Sequence, residues 1–496
     1  MPQVIIPMVI SAALSVVVRE IAGKPDRRSD FEKSKAPVNA PEVRYTEKQS
    51  LPSKRIIYGR AEVGGGLCFE EVKPPYLYRM YMLCDEPIAG VRSARIAKHK
   101  IIFRDLVHNV PADPLLVNGQ PNYPNRLRLC VRDGRPDQTA DALLLSNFGS
   151  IGANFRQRGI ATACARFHYG SDWDERQALW GSTDAPDLLF LVDGIGVPDP
   201  RKPSNTIFYD PFDLDEANAA RATWTRGVNT AALVQAHYLT QPYGGRISPH
   251  NIDWDKVIKA ADYDDELIGT KSGEKIRRHT IDTVIKMNQP PNEVIDQMRT
   301  ANRGFILQPG SRVWVTSSLP QDPVATIHDG LLAGGIEYRD ARPKRELVNR
   351  SKVRFIVDER NFQMDDGPII DRLDLRAIDG EPLDATVDLP CTRDHRRAQR
   401  LNKCSVDESR LGRTLSLPVD VSYLAEAKGQ LAGFVHRVEL ASFGKAGGIY
   451  FCRKATFVQS FAAIRLDLVE YDKDIEQAWN PSTDEQDFVL ADVNLS

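Results

Sequence analysis

Asp262, Asp264, Asp265 and Glu266 are the densest acidic cluster in the sequence. Carboxylate oxygens at such spacing suit calcium, but the twelve-residue calcium loop also needs a glycine at its sixth position for the sharp turn. Leu267 stands there, so the cluster is expected to be solvated charge at a helix end. Glycoside cleavage would need two acids about 5 to 10 Å apart. Asp172 with Asp174, and Asp365 with Asp366, are candidate pairs, yet a chain with 67 acidic residues always offers some. The nine histidines are scattered, His99 and His108 among them, and are expected to be surface or hydrogen-bonded core residues. Gly64, Gly65 and Gly66 are followed by neither a helical pattern nor the Lys-Ser/Thr of a phosphate loop, so they read as a turn. Arg393, Arg396, Arg397 and Arg400 would share one side of a helix. With no aromatic side chain nearby to stack on bases, that side is expected to be solvated or salt-bridged to another subunit. H-E-x-x-H, G-x-S-x-G, Walker A and G-x-G-x-x-G are all missing. The expected catalytic, cofactor-binding and metal-ligating sets are each none.

Composition narrows the class further. A chain of 496 residues is too long for one ordinary core and predicts about two to four domains. Its 42% apolar and 27% charged fractions are those of a folded protein. With 65 basic against 67 acidic residues, the net charge of −2 creates no field that would gather nucleic acid or anionic lipid. The seven cysteines form no C-x-x-C and are odd in number, so reduced thiols packed as small apolar residues are expected. The apolar segment 4–18 lacks a basic leader and falls short of the roughly 20 residues that span a bilayer. It is expected to be buried against protein.

The elements that must position any site alternate between strand and short helix. A polar, Pro-bearing stretch over 23–54 predicts an extended arm. Alternation from Ile57 to Val63, then runs at 76–84, 100–106, 126–131 and 158–169, predict an antiparallel β region. Asn229 or Thr230 starts a helix with Ala232, Leu233, Ala236 and Leu239 as its stripe, stopped by Pro242 and Gly244. A second helix over 253–262 carries Trp254, Val257, Ile258 and Ala261. A third, over 290–304, has Val294, Ile295 and Met298 on one face. A hairpin follows, from 305–307 to 312–315 across Pro309-Gly310. Val353, Phe355 and Val357 alternate with Lys352, Arg354 and Ile356 as a half-buried strand with a charged open face. A helix at 394–403 and three more strand-like runs complete the chain.

Several phrases in this order carry a resemblance. They are R-I-I-Y-G-R-A-E-V-G-G around Tyr58, R-G-I-A starting at Arg158, and G-I-G-V-P-D-P-R ending at Arg201. Next come Asn229, Ala231, Tyr238, Leu239, Thr240, Tyr243 and Gly244, then Ala260, Ala261, Asp265 and Glu266. A-Q-R-L at 398–401 and E-Y-D before Trp479 close the series. From 54 to 479 the chain resembles the tail-tip hub, or tip-attachment and central-fibre, proteins of long non-contractile-tailed phages, the lambda protein J-like family, and the hubs of gene transfer agents. Pro198 replaces the family's usual aromatic residue, and Thr230 its usual proline.

The resemblance implies an α+β, β-rich multidomain fold, with tail-tube-like β-sandwich or barrel hub domains and a small helical-plus-hairpin domain. The expected divisions are an apolar segment and arm at 1–53, a β-rich hub region at 54–215, a mixed helix and hairpin domain at 216–330, a β-rich tube-like hub domain at 331–480 and an acidic tail at 481–496. It also implies a non-enzymatic structural role as a homotrimer at the distal end of a virion tail, made in the host bacterial cytoplasm. No cofactor is expected. Expected partners are the distal tail protein, other tail-tip proteins, the tape-measure protein C-terminus and a tail fibre or receptor-binding protein, with phage DNA passing through the lumen unread. The hub would close the tail tube and open for ejection. Receptor reading is expected on another polypeptide, because this chain stops just after the hub. Two other readings remain open, a tail-associated cell-wall hydrolase and a receptor- or carbohydrate-binding module; the latter should cluster exposed aromatics, and the six tryptophans are spread thinly.

Overall fold

A computed structural model describes residues 53–118, 120–181, 185–308, 310–458 and 462–488. The apolar segment 4–18, nearly all of the arm and the turn residue Pro309 therefore lie outside the described residues. What is described is α+β and rich in strand, spread over several sheets with short helices between them. Described residues of Asn39–Pro249 with Thr280–Val294 form one compact unit, and those of His250–His279 with Ile295–Ser496 another.

The first unit holds a four-stranded antiparallel sheet ordered Gly66–Lys73, Tyr76–Cys84, Ala161–His168, Leu127–Arg132. Ala161–His168 is an inner strand, and its Ala161, Ala163, Cys164 and Ala165 are small because both faces are covered. A second sheet is centred on Leu189–Val197, which pairs with Ile88–Ile96 and with Arg60–Val63. Gly194 is required on that strand, since a Cβ there would run into the Ile57 carbonyl. Arg55–Tyr58 pairs with Thr283–Lys286, which brings the late segment back to this unit. At Gly64 to Gly66 the expected turn is replaced by a short link: Gly64 and Gly65, the latter at φ +70°, pass the chain from Arg60–Val63 of one sheet to Gly66–Lys73 of another, so no hairpin closes there.

Helix Ala231–Thr240 corrects one expectation. It is not striped: all ten of its residues are buried, including Gln235, His237 and Thr240. A helix covered on every side must satisfy its polar side chains internally, and that requirement shapes the site described below.

The other unit carries a six-stranded sheet ordered Thr326–His328, Val435–Glu439, Gly448–Val458, Ala463–Glu470, Thr414–Asp420, Glu337–Arg339. Leu415, Leu417 and Val419 alternate inward with Ile464, Leu466 and Leu468 and pack on Tyr423 and Tyr450. Beside it, Arg350–Val357 is the middle strand of a three-stranded sheet, antiparallel to Gln363–Asp371 and parallel to Asp384–Leu389. Val353, Phe355 and Val357 face the core as their period-two spacing requires, and meet Ala398, Leu401 and Val406 of helix His395–Glu408. Burying each such large apolar side chain contributes about 1.5–3 kcal/mol. Helix Trp254–Asp265 begins at Asp253, whose side chain accepts from the Lys256 amide. Ile306–Leu307 and Trp314–Val315 form the expected hairpin. Six of the seven cysteines are buried free thiols; Cys68 instead stands on an exposed strand face. No helix of the described residues is long and apolar enough to cross a membrane.

Candidate functional site

In the first unit, several motif residues singled out from the sequence meet at a buried network. Tyr58 ends the first strand and places its hydroxyl 2.8 Å from His237 Nδ1 and 3.5 Å from the Tyr243 hydroxyl. Tyr243 donates to Glu86 Oε1 at 3.2 Å, and Arg221 reaches the same oxygen at 3.0 Å. Arg221 also donates to Gln241, whose side-chain nitrogen donates to the Tyr209 hydroxyl at 2.8 Å. Trp224 packs edge-on against both His237 and Tyr209.

Local backbone chemistry fixes these groups. Gly59 follows Tyr58 with φ +64°, and a Cβ there would strike Asp282 and the Ile281 carbonyl. Gly244 follows Tyr243, where a Cβ would collide with the Tyr238 carbonyl. The phrases Y-G-R and Y-G-G thus encode close backbone approach. Asp282 accepts from the Arg60 amide and from Asn229, and Asp199 is held by Arg201 of the D-P-R phrase.

The electrostatics run away from reactivity. Burial pushes the Tyr58 and Tyr243 hydroxyls well above their ordinary range. Burial, reinforced by Arg221, holds His237 well below the usual imidazole value. Burial also raises the Glu86 carboxyl, against the pull of Arg221. A nucleophilic tyrosine or a histidine base needs the opposite shifts toward neutral pH. The network can tie strands, helices and turns from distant parts of the sequence together, and it supplies no activated group.

The other unit contains a second buried cluster whose composition mimics a hydrolase. Asp264, His279 and Ser317 adjoin: His279 Nδ1 donates to Asp264 Oδ1 at 2.9 Å, and Ser317 donates to that same oxygen at 2.6 Å. In a nucleophilic triad the hydroxyl bonds one ring nitrogen and the acid bonds the other. Here the nitrogen nearest Ser317, at 3.3 Å, is the one turned to the acid. His279 Nε2 is buried without a hydrogen-bond partner among the described residues. Its pKa is held well below the usual value by burial and then by Arg400, Arg278, Arg397 and Arg303. Among the described residues this serine has no base placed to activate it.

The remaining candidates disperse. Asp264 is buried, which overturns the reading of the whole acidic cluster as solvated, while Asp265 pairs with Arg277 and Glu266 with Arg278. No group of three metal-ligating side chains gathers among the described residues. Asp172 caps helix Trp173–Trp180, and Asp174 lies in its first turn. Asp365 pairs with Arg360 and Asp366 with Lys352. His99 lies 2.9 Å from the Tyr123 hydroxyl, and His108 2.6 Å from Asp133.

The basic run is likewise not a solvated face. Arg397 and Arg400 are buried and donate to the carbonyls of Arg277 and Arg278, Arg396 pairs with Asp394 and Glu274, and Arg393 with Asp358. Glu86, Arg221 and Ser317 were not singled out from the sequence. Each stands outside the motif phrases, and a lone polar residue carries no signal of what it will meet.

No family model matches the sequence, and no curated protein does. Among solved structures, a chain in the virion of a native gene transfer agent particle aligns over 98% of this chain and 100% of its own, with 16% identity and a TM-score of 0.61. A 43 kDa tail protein of prophage MuSo2 from Shewanella oneidensis aligns over 86% of this chain and 95% of its own at 9% identity and TM-score 0.29. A tail protein from Neisseria meningitidis aligns over 86% and 99% at 12% identity and TM-score 0.29. At 16% identity, the first of these is a likeness of fold along the whole chain.

Proposed function

We propose that this chain is a structural component of a phage-type tail, and more narrowly the hub at its distal tip. The observation that carries the reading is the full-length fold likeness to a chain of a gene transfer agent virion. Two further features support it. Two of the phrases resembling tail-tip hubs, Y-G-R and Y-G-G, place Tyr58 and Tyr243 in the first unit's buried network, whose groups are locked and unreactive, as a load-transmitting core requires. The serine, histidine and aspartate of the other unit are arranged against catalysis.

In this role the chain assembles as a homotrimeric ring that closes the tail tube. It contacts the distal tail protein, the tape-measure protein C-terminus, other tip proteins and a fibre or receptor-binding protein, and the ring opens for DNA ejection. Electron microscopy of intact tails carrying a gold-labelled tag on this chain tests the reading. Label confined to the distal tip is the expected result; label along the tube, or on no particle, overturns it.

A further inference from the structure

Two exposed apolar surfaces of the first unit differ in charge. The first is a knuckle at 206–216. Tyr209 and Pro211 are buried beneath it, while Phe208, Phe212 (59% exposed) and Leu214 (73% exposed) stand outward. It is held in place: Asp210 accepts from the Phe212 amide, Asp213 accepts from the amides of Asp215 and Glu216, and Tyr209 packs on Trp224. Between 203 and 220 the sequence has four acids, Asp210, Asp213, Asp215 and Glu216, and no base.

The second surface is the loop at 102–116, on which Ile102, Val107, Val110, Leu115 and Leu116 (67% exposed) are uncovered. It too is pinned, by bridges from Phe103 to Pro114 and from Ala112 to Leu129, and by the Leu115 amide on the Ile102 carbonyl. Lys98, Lys100 and Arg104 are exposed around it. Of the acids in the loop, Asp113 is paired with Arg128, and Asp105 is exposed beside Arg104.

From this complementarity we infer that the acidic apolar knuckle of one copy docks on the apolar loop of a second copy of this chain, at the end of that loop edged by Lys98, Lys100 and Arg104. Apolar patches of this kind on a folded chain mark an interaction surface. Both faces are preorganised, so docking orders little that is mobile. Opposite charge around the two apolar centres selects each for the other and rejects knuckle-to-knuckle pairing. The contact joins two different surfaces, and head-to-tail contacts of that type generate rings. The inference rests on the proposed ring and assigns its contact.

The test is sedimentation velocity on the full chain at micromolar concentration. One variant carries Phe212→Ser with Leu214→Ser, and another carries Leu115→Ser with Leu116→Ser. Each alone should associate at least about tenfold more weakly than the parent chain. Mixed together, they should form heterodimers through the one intact contact and stop there. Asp215→Lys and Arg104→Asp should each weaken association, and mixing those two should restore the pairwise contact between unlike variants, while a three-membered ring, which must hold one contact between like variants, should close less well than in the parent chain. A parent chain that forms rings, with variants that do so equally well, overturns this contact and leaves the hub reading standing. A parent chain that stays monomeric overturns both.

Discussion

In the first unit, His237 lies among tyrosines and a tryptophan, with a single ion pair, Glu86 to Arg221, at the network's end. In the other unit, His279 lies on a buried carboxylate, with Arg278, Arg303, Arg397 and Arg400 acting on it electrostatically. Both imidazoles are buried and neutral, but the means differ. Aromatic hydroxyls stabilise the first through hydrogen bonds between neutral groups. The second depends on a set of charges that must balance, with Arg303 on Glu408 and Glu476 and Arg400 also near Glu476. A neutral network loses one hydrogen bond when cut, whereas a charged one is left with an uncompensated ion. The arginine-rich unit should therefore be the more brittle of the two.

The largest effect should come from Arg303→Leu, which takes the cation from Glu408 and leaves buried Glu476 with only the longer Arg400 contact at 3.5 Å. A loss of about 3 kcal/mol is expected, read as a lower denaturant midpoint with protection from hydrogen exchange lost first around 395–408. A midpoint within error of the parent would mean the charges are not balanced by this residue. Asp264→Ala removes the acceptor shared by His279 and Ser317. It should cost about 2–3 kcal/mol, because two buried donors lose their partner at once. Ser317→Ala should cost less than half of that, because only one donor is removed and the bond from His279 to Asp264 survives. Tyr58→Phe in the aromatic network removes one hydroxyl and keeps the ring; about 1–2 kcal/mol is expected, checked by the same denaturation. If Tyr58→Phe proved costlier than Arg303→Leu, the contrast between the two networks would be reversed.

The sequence disclosed these regions unequally, for physical reasons. Strand Arg350–Val357 was legible because one face is buried and the other charged, which writes a period of two into the residues themselves. Helix Trp254–Asp265 was legible from Asp253 at its cap and the apolar spacing behind it. Helix Ala231–Thr240 showed where it starts and stops, but its stripe was misread, since a helix covered on all sides has no polar face to reveal its orientation. Asp264 and Arg400 looked like surface charge because burial is decided by what packs on them, namely His279 and Ser317 for the one and the Arg278 carbonyl for the other. Tyr58 and Tyr243 sat in recognisable phrases, while Tyr209, Glu86 and Arg221 took part from stretches with no pattern of their own.

The smallest expected effect sharpens the comparison most, because it concerns sign. An unfolded histidine takes up a proton as pH falls through about 6.5, whereas His237 and His279 are held neutral below that value in the folded chain. Below about pH 6.5 the unfolded state therefore binds more protons, and each histidine lowers stability as pH falls, by at most about 1.4 kcal/mol per pH unit. Glu86 acts the other way: its folded carboxyl is raised, so above its ordinary value the folded state holds the extra proton, and acidification adds stability until the unfolded carboxyl is protonated as well. The aromatic network thus contains a partial offset from Glu86 at the carboxylate end of the range. His237→Asn and His279→Asn should each flatten the acid limb of a stability-against-pH curve between about pH 6.5 and 5. Adding Glu86→Gln should steepen the His279→Asn curve near pH 5, because the opposing carboxyl is gone while His237 remains. Unchanged slopes in both histidine variants would mean that neither ring is held neutral by its surroundings, and the difference between a network of hydroxyls and a network of charges would then lie in the cost of cutting it alone.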